Sequence, residues 1–366
     1  MKSEVLIIGG GVIGLSIARE MHKSGRRNIT IVERGNIGQE ASFAAAGMLA
    51  PNAETDRIDD FYNFCAKSNR LYPQFAEELF EETGVDIELD RSGTLYVAFN
   101  ENDSTALKKR FEWQRKAGLS VEHLSSKETL EVETYISPRV RESLYFPNDW
   151  QVENRKLLIA LRKYTEINGI SIHEGIEIRE LLIEGNKVTG AASEKEKFTA
   201  DTTILTTGAW TSLIKSGAKP LPVKVKPIRG QIISFHSAEK LFKRVIYSPR
   251  GYIVPRADGR ILAGATVEDV GFNKSTTEKG ISLLRSVASE IAPCLADMDI
   301  SDSWAGLRPF AGIGLPVIGE VAELKNLIIA TGHYRNGILL APLTGKRVAE
   351  IVLSEPGAVA TGFLYR

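Results

Sequence analysis

The chain opens on an apolar run, Val5 to Ile8, and then a glycine cluster at Gly9, Gly10, Gly11 and Gly14. A helical stretch, Leu15 to Lys23, and a second apolar run, Ile29 to Val32, complete the segment, which ends on Glu33. This order predicts a βαβ unit, because continuous apolar runs suit strands buried on both faces and helix-spaced apolar positions suit the crossover. The glycines predict a dinucleotide loop: Gly9 permits the tight turn, Gly11 a close backbone approach to a pyrophosphate, and Gly14 tight packing of helix on sheet. Glu33, about 20 residues on, can accept both adenosine ribose hydroxyls and would repel a 2′-phosphate, which leaves FAD or NAD.

Beyond a loop at 34–38, residues 41–48 are mostly small. Such a run lets backbone approach a ligand, with Ser42 donating to a phosphate oxygen, or it starts a tightly packed helix. Residues 59–83 place Phe61, Phe64, Leu71, Tyr72, Phe75 and Leu79 at helical spacing and stop at Gly84, a scaffold helix. Next come β-like runs over 86–99 and a charged helix over 101–117 with Leu107, Phe111 and Trp113 as its buried face. The βαβ alternation is broken there, so a second domain begins. A helix is expected over 150–167, strands over 170–173 and 176–178, and an antiparallel ribbon from 188–191 and 198–200. The strand 202–205 runs into Thr206, Thr207, Gly208, Ala209 and Trp210, either a ligand edge of the nucleotide sheet or a plain loop. From Pro222 to Ala265, turn residues separate short apolar runs, predicting an antiparallel sheet. A helix over 277–292 follows. The pattern then returns to strand (327–330), glycine-bearing loop (331–337) and helix (338–354), a second helix N-terminus facing a ligand. Two such ends suit a long, two-headed cofactor.

The fold class expected is therefore α/β: a discontinuous nucleotide-binding domain (1–85, 150–220 and 300–366) with an inserted antiparallel-sheet substrate domain (86–149 and 221–299).

Composition adds exclusions. Lys plus Arg and Asp plus Glu both total 46, so no net field favours nucleic acid or an anionic membrane, and a small partner is expected. Glu4 and the glycines interrupt what could pass for a signal peptide, and no apolar run is long enough to span a membrane, so a cytoplasmic location is expected. Cys65 and Cys294 read as buried free thiols. The histidines at 22, 123, 173, 236 and 333 have no ligand spacing, so no metal is expected.

Four segments occur in order across nearly the whole chain: Gly9-Gly10-Gly11-Val12-Ile13-Gly14, Ala44-Ala45-Ala46-Gly47-Met48, Trp304-Ala305-Gly306-Leu307-Arg308-Pro309 and Gly332-His333-Tyr334-Arg335-Asn336-Gly337-Ile338-Leu339. Together they resemble the D-amino-acid-oxidase superfamily of FAD flavoproteins, and within it the glycine oxidase family linked to thiamine thiazole formation. The resemblance implies a Rossmann-like domain holding non-covalent FAD and oxidative deamination of glycine or small amines to oxo acid, ammonia and H2O2, with O2 as electron acceptor. A homo-oligomer such as a tetramer is implied too. It places Val12 and Ile13 at the pyrophosphate, Glu33 and Arg34 at the adenosine, and Ala41, Ser42, Ala46, Gly47 and Met48 along pyrophosphate and flavin. Ile176 would meet the adenine region through its backbone, and His333, Tyr334, Arg335, Asn336, Gly337, Ile338 and Leu339 the flavin's pyrimidine end.

Arg308 matches the arginine that binds the substrate carboxylate, and Tyr252, with Tyr247 nearby, the tyrosine that anchors it. The reaction is thereby assigned to Tyr252, Arg308 and Arg335. A planar guanidinium fork suits a carboxylate; the structural alternatives are a salt bridge for Arg308 and a core ring for Tyr252. Arg250 and Val267 would lie near the pocket among the substrate-binding residues, where the family can carry histidine and methionine, which leaves the preferred amine open. Sarcosine oxidase and D-amino-acid oxidase or dehydrogenase are the rivals of the same fold, and a non-catalytic flavoprotein subunit the rival of another class.

Overall fold

β1 (Lys2–Ile8), α1 (Val12–Lys23) and β2 (Ile29–Val32) form the expected βαβ unit, with the two strands parallel. The computed structural model describes residues 2–217, 221, 223–312 and 314–354. Met1, 218–220 and 355–366, assigned above to the nucleotide domain, and Pro222, the expected start of the strand-rich stretch, lie outside the described residues. Strand alternation sorts β1 between two cores. Val5 and Ile7 join one built with helices, whereas Leu6 and Ile8 join another on the opposite face.

A single-turn α2 (Ala41–Ala44), β3 (Met48–Leu49) and α3 (Asp60–Thr83) follow. The Asp59 side chain caps α3 by accepting from Tyr62 N, and Gly84 ends it at φ 69°, the left-handed conformation glycine adopts without strain. Arg19, 1% exposed, ties α1 to α3 through Glu78 (2.7 Å) and Glu82 (2.7 Å).

β4 (Thr94–Ala98), α4 (Glu101–Lys116), β5 (Glu122–Ser125), α5 (Ser126–Val132) and β6 (Glu142–Phe146) leave the nucleotide sheet. α4 buries Leu107 as expected, but Phe111 and Trp113 are only half-buried, and Asp103, Ser104 and Gln114 are buried instead. The expected helix start at Trp150 is corrected: β7 (Trp150–Gln151) pairs with β3, and α6 (Asn154–Ile167) begins only where the Glu153 side chain caps it. β8 (Ser171–His173) is a strand, but 176–178 is not. Ile176 N donates to Glu33 O, so this irregular segment is held beside the end of β2.

β9 (Glu180–Glu184) and β10 (Lys187–Ala192) form a hairpin, and β11 (Lys197–Leu205) fuses the two expected strands. Its first part pairs antiparallel with β10, and its last part lies parallel between β1 and a later strand. β12 (Val225–His236), β13 (Val245–Ser248), β14 (Gly251–Pro255), β15 (Arg260–Gly264) and α7 (Glu278–Ile291) precede β16 (Ile300–Ala311). β17 (Val317–Val321), β18 (Leu324–Thr331) and α8 (Gly337–Leu353) close the described chain.

Two eight-stranded sheets result. In the first, β18, β11, β1, β2 and β8 are parallel neighbours, so their carboxyl ends share one edge. The second has the order β16-β12-β15-β14-β13-β4-β6-β5. It is antiparallel except where β13 meets β4, a parallel pair. β16 pairs along β12 throughout, so residues 300–311 lie in the second sheet and not with the elements after them.

Candidate active site

A cavity of about 510 Å³ opens at the shared carboxyl edge of β1, β2, β11 and β18, where open α/β sheets place ligands. The N-termini of α1 and α8 both reach it, and neither helix has an acidic residue in its first turn to offset its positive end. Gly9 turns out of β1 at φ 109°. A Cβ on Gly14 would stand 2.0 Å from Gly9 O, so only glycine lets α1 start this close to the turn. Thr206, missed as a site residue, fastens the turn by donating to Gly9 O at 2.7 Å.

Glu33 is buried, with Oε2 accepting from Gly10 N (2.8 Å) and Oε1 from Gly35 N (2.9 Å). Two backbone donors fix the carboxylate, and its remaining lone pairs serve the cavity. Arg34 lies 3.7 Å from the Trp210 ring centroid and pairs with Glu40 at 2.5 Å. Trp210 in turn meets Phe272 from the second sheet's side (5.6 Å), and Lys274 reaches Glu40 (2.9 Å). Neither Trp210 nor Glu40 has a periodic signal that marks it.

The small-residue run forms a short helix at the cavity wall. α2 is a tight single turn, and it lines the cavity, with Ser42 Oγ accepting from Val12 N at 3.0 Å. Buried Arg256 pins the next loop through Ala46 O (2.9 Å), and a Cβ on Gly47 would point into Val152 O at 2.0 Å. Met48, Ile176, Thr207 and Gly208 line the same space, as do His333, Tyr334, Asn336, Gly337 and Ile338; Gly14 and Leu339, expected there, do not line it. His333 is buried against Thr344, and burial pulls its imidazole down to about 3, so it is neutral.

At the other end stand Arg308, Tyr252, Tyr247 and Arg335. The Arg308 guanidinium lies over Gly230, where a Cβ would be 2.2 Å from Nη2. Its Nη1 donates to Thr266 O (3.0 Å) and Arg229 O (3.4 Å), and no carboxylate among the described residues pairs with it. The salt-bridge alternative therefore fails. Gly230, a mid-strand glycine, is the kind of position that signals close approach, and sequence reading missed it.

Tyr252 is buried with its ring 5.5 Å from Tyr247, and its hydroxyl has no hydrogen-bond partner among the described residues. Tyr247 donates to Glu54, which also accepts from Arg335 at 3.0 Å. Burial, with Glu54 adding to it, holds the Tyr247 phenol well above its usual range, and Glu54 keeps Arg335 firmly charged. Glu54 lies in an irregular loop without a legible pattern.

Arg250 lines the rim, but its guanidinium is taken up by Asp103 (2.9 Å) and Glu290 (2.5 Å). Val267 lines it too and is 63% exposed. Cys65 is buried as expected, whereas Cys294 is exposed, because it sits on a surface turn; neither lines the cavity.

Known proteins give the family. The family model described as FAD dependent oxidoreductase (DAO) matches residues 4–351. A glycine oxidase of Pseudomonas aeruginosa is 34% identical over 96% of this chain and 95% of its own. A bifunctional protein ThiO/ThiG of Synechocystis is 35% identical over 96% of this chain but 52% of its own, so the chain spans about half of that relative. The crystal structure of glycine oxidase from Geobacillus kaustophilus superposes with a TM-score of 0.92 at 32% identity, covering 98% of this chain and 96% of that one. The chain belongs to the DAO family of FAD dependent oxidoreductases, in its glycine oxidase branch.

Proposed function

We propose that this FAD-dependent amino-acid oxidase deaminates glycine and other small amino acids or amines: glycine + O2 + H2O gives glyoxylate + NH3 + H2O2. The observation that carries this is an unpaired arginine fork, Arg308, beside the free Tyr252 hydroxyl in the cavity that the dinucleotide loops line. FAD fits those loops: Gly9 and Gly14 pack the turn against Thr206 and Gly9 O too closely for any Cβ, which brings the start of α1 to the cavity, and two helix N-termini suit a two-headed anion. When bound, FAD supplies the two-electron redox chemistry that no side chain offers.

The protein's share is binding and orientation. Arg308 takes the substrate carboxylate, and Tyr252 donates to the same group, which leaves the α-carbon and amine facing the flavin loops. Glu54 is occupied by Tyr247 and Arg335, so no free carboxylate among the described residues lining this end is left to act as a base, and the ammonium proton leaves to solvent. The other cofactor and substrate contacts follow the assignments above, with Arg335 holding Glu54 and Arg250 shaping the rim. Non-covalent FAD accords with cysteines that lie off the cavity. Among the described residues no helix is long and apolar enough to cross a membrane, which accords with a cytoplasmic enzyme. A homo-oligomeric state, a supply role in thiamine thiazole formation and a nucleotide/substrate division along the two sheets complete the reading.

The test is anaerobic reduction of the yellow protein by a panel of glycine, sarcosine and small D-amino acids, followed by an oxygen electrode. Bleaching with glycine and stoichiometric peroxide are expected. No bleaching with any amine sinks the reading, and bleaching without O2 uptake makes the chain a dehydrogenase. Denaturation should release the flavin into the soluble fraction.

A further inference from the structure

Among the described residues no side chain holds Arg308; it rests on two backbone carbonyls, Thr266 O and Arg229 O. What fixes those carbonyls therefore fixes the fork. Arg229 and Glu268 exchange backbone hydrogen bonds, Arg229 N to Glu268 O (2.8 Å) and Glu268 N to Arg229 O (3.0 Å). The Glu268 carboxylate then closes the same unit from the side. Its Oε2 accepts from Arg229 Nη2 (2.5 Å), and its Oε1 accepts from Gln231 Nε2 (2.7 Å) and Thr266 Oγ1 (2.5 Å). Each donor belongs to a residue that either carries one of the two carbonyls or lies next but one to it.

The charges are divided in the same way. Glu268 neutralises Arg229, which is 4% exposed, and makes no pair with Arg308. The anchoring network is thus internally balanced and leaves one net cation, Arg308, for a substrate carboxylate. With Nη1 held by the carbonyls and the plane of the fork flat on Gly230, its remaining donors are the ones offered to the cavity.

We infer that Glu268 is a positioning residue for substrate: by pinning Arg229, Gln231 and Thr266 it sets the plane and reach of the Arg308 fork. The inference rests on the reading of Arg308 as the carboxylate binder. It assigns Glu268 no contact with substrate or flavin.

A purely structural role would lower stability without changing recognition, so the test separates the two. Glu268→Ala, Glu268→Gln, Glu268→Asp and Arg308→Ala are compared with the parent as FAD-saturated enzymes. KM and kcat for glycine are measured, together with the Kd of acetate, a carboxylate without an amine, from perturbation of the flavin spectrum. Glu268→Ala should raise both KM and the acetate Kd about tenfold with little change in kcat, as expected when a binding group is misaligned. Glu268→Gln should fall between, and Glu268→Asp should recover part of the loss. Should the alanine variant fail to fold, the glutamine variant carries the measurement. KM and acetate Kd at parental values in the Glu268 variants, with both raised in Arg308→Ala, overturn this inference alone. Parental values in Arg308→Ala overturn the reading of the site and this inference with it.

Discussion

The Arg34 guanidinium lies over the Trp210 indole, 3.7 Å from its centroid, at the end of the cavity where Glu33 follows β2. On the proposed roles this pair stands with Glu33 at the adenosine end, so it should act on cofactor retention and not on turnover. A cation–π contact contributes about 0.5–2 kcal/mol, so Trp210→Ala should raise the FAD Kd by about 2- to 30-fold. Fluorescence titration of the apoprotein reads the change, and KM for glycine at saturating FAD should stay at the parental value. An unchanged FAD Kd would remove Trp210 from the cofactor site.

Gly230→Ala separates activity from stability. The added Cβ would meet the end of a flexible side chain, the Arg308 guanidinium, and not backbone. The fork can swing away, so the melting temperature should move little. Its charge-assisted hydrogen bonds to a carboxylate, each about 1.5–3 kcal/mol, would be lost, and kcat/KM should drop by at least about tenfold. A large fall in Tm with normal kinetics would contradict this.

Acid should weaken the fold through two carboxylates. Burial alone would raise Glu78 and Glu268, but Lys23 and Arg19 on the first, and Arg229, Thr266 and Gln231 on the second, pull each down to about 2. A folded value below the unfolded one, about 4.3, contributes stability that is full above the unfolded value and lost as pH falls through the folded one. Tm should therefore decline between about pH 4.5 and 2. Glu78→Gln should flatten the decline, and a variant with the parental slope would exclude Glu78 from it.

Pro342, inside α8, has no N–H to give Ile338 O, its partner one turn earlier. The Tyr72 hydroxyl from α3 donates to that carbonyl, and Ser68 donates to Leu339 O at 2.7 Å. Tyr72→Phe leaves a buried acceptor unpaired and should cost about 1–3 kcal/mol. In a Pro342→Ala background the restored amide takes the carbonyl, so the same change should cost less. Chemical denaturation of the four proteins in the cycle checks this, and strictly additive costs would count against it.

The elements with strong periodicity were legible. β1, α1, β2, α3 and α8 follow from apolar spacing, caps and glycine stops, and the Gly9 to Glu33 loop identified its own ligand class. What failed was set by tertiary contacts. Trp150 fits a helical pattern, yet its backbone is used to pair with Leu49. Ile176 is β-prone, yet its N–H is taken by Glu33 O in a loop. Gly230, Trp210 and Glu54 matter through residues more than 70 positions away in sequence, such as Gly230 against Arg308, and no local pattern encodes such a meeting. Arg250 was legible as a rim residue, but its ion pairs with Asp103 and Glu290 were not.

β16 carries Arg308, and it is stitched to two of the loops that line the cavity. Trp304 Nε1 donates to Ala44 O (3.1 Å), Tyr334 N donates to Pro309 O (3.0 Å), and Phe310 bridges His333. On the proposed roles, one strand thus works as a gauge: the span from Arg308 to the loops at Ala44 and His333 is measured out in backbone. Substrate range in such a molecule is retuned by exchanging the side chains that project into the gap, whereas its length stays constant.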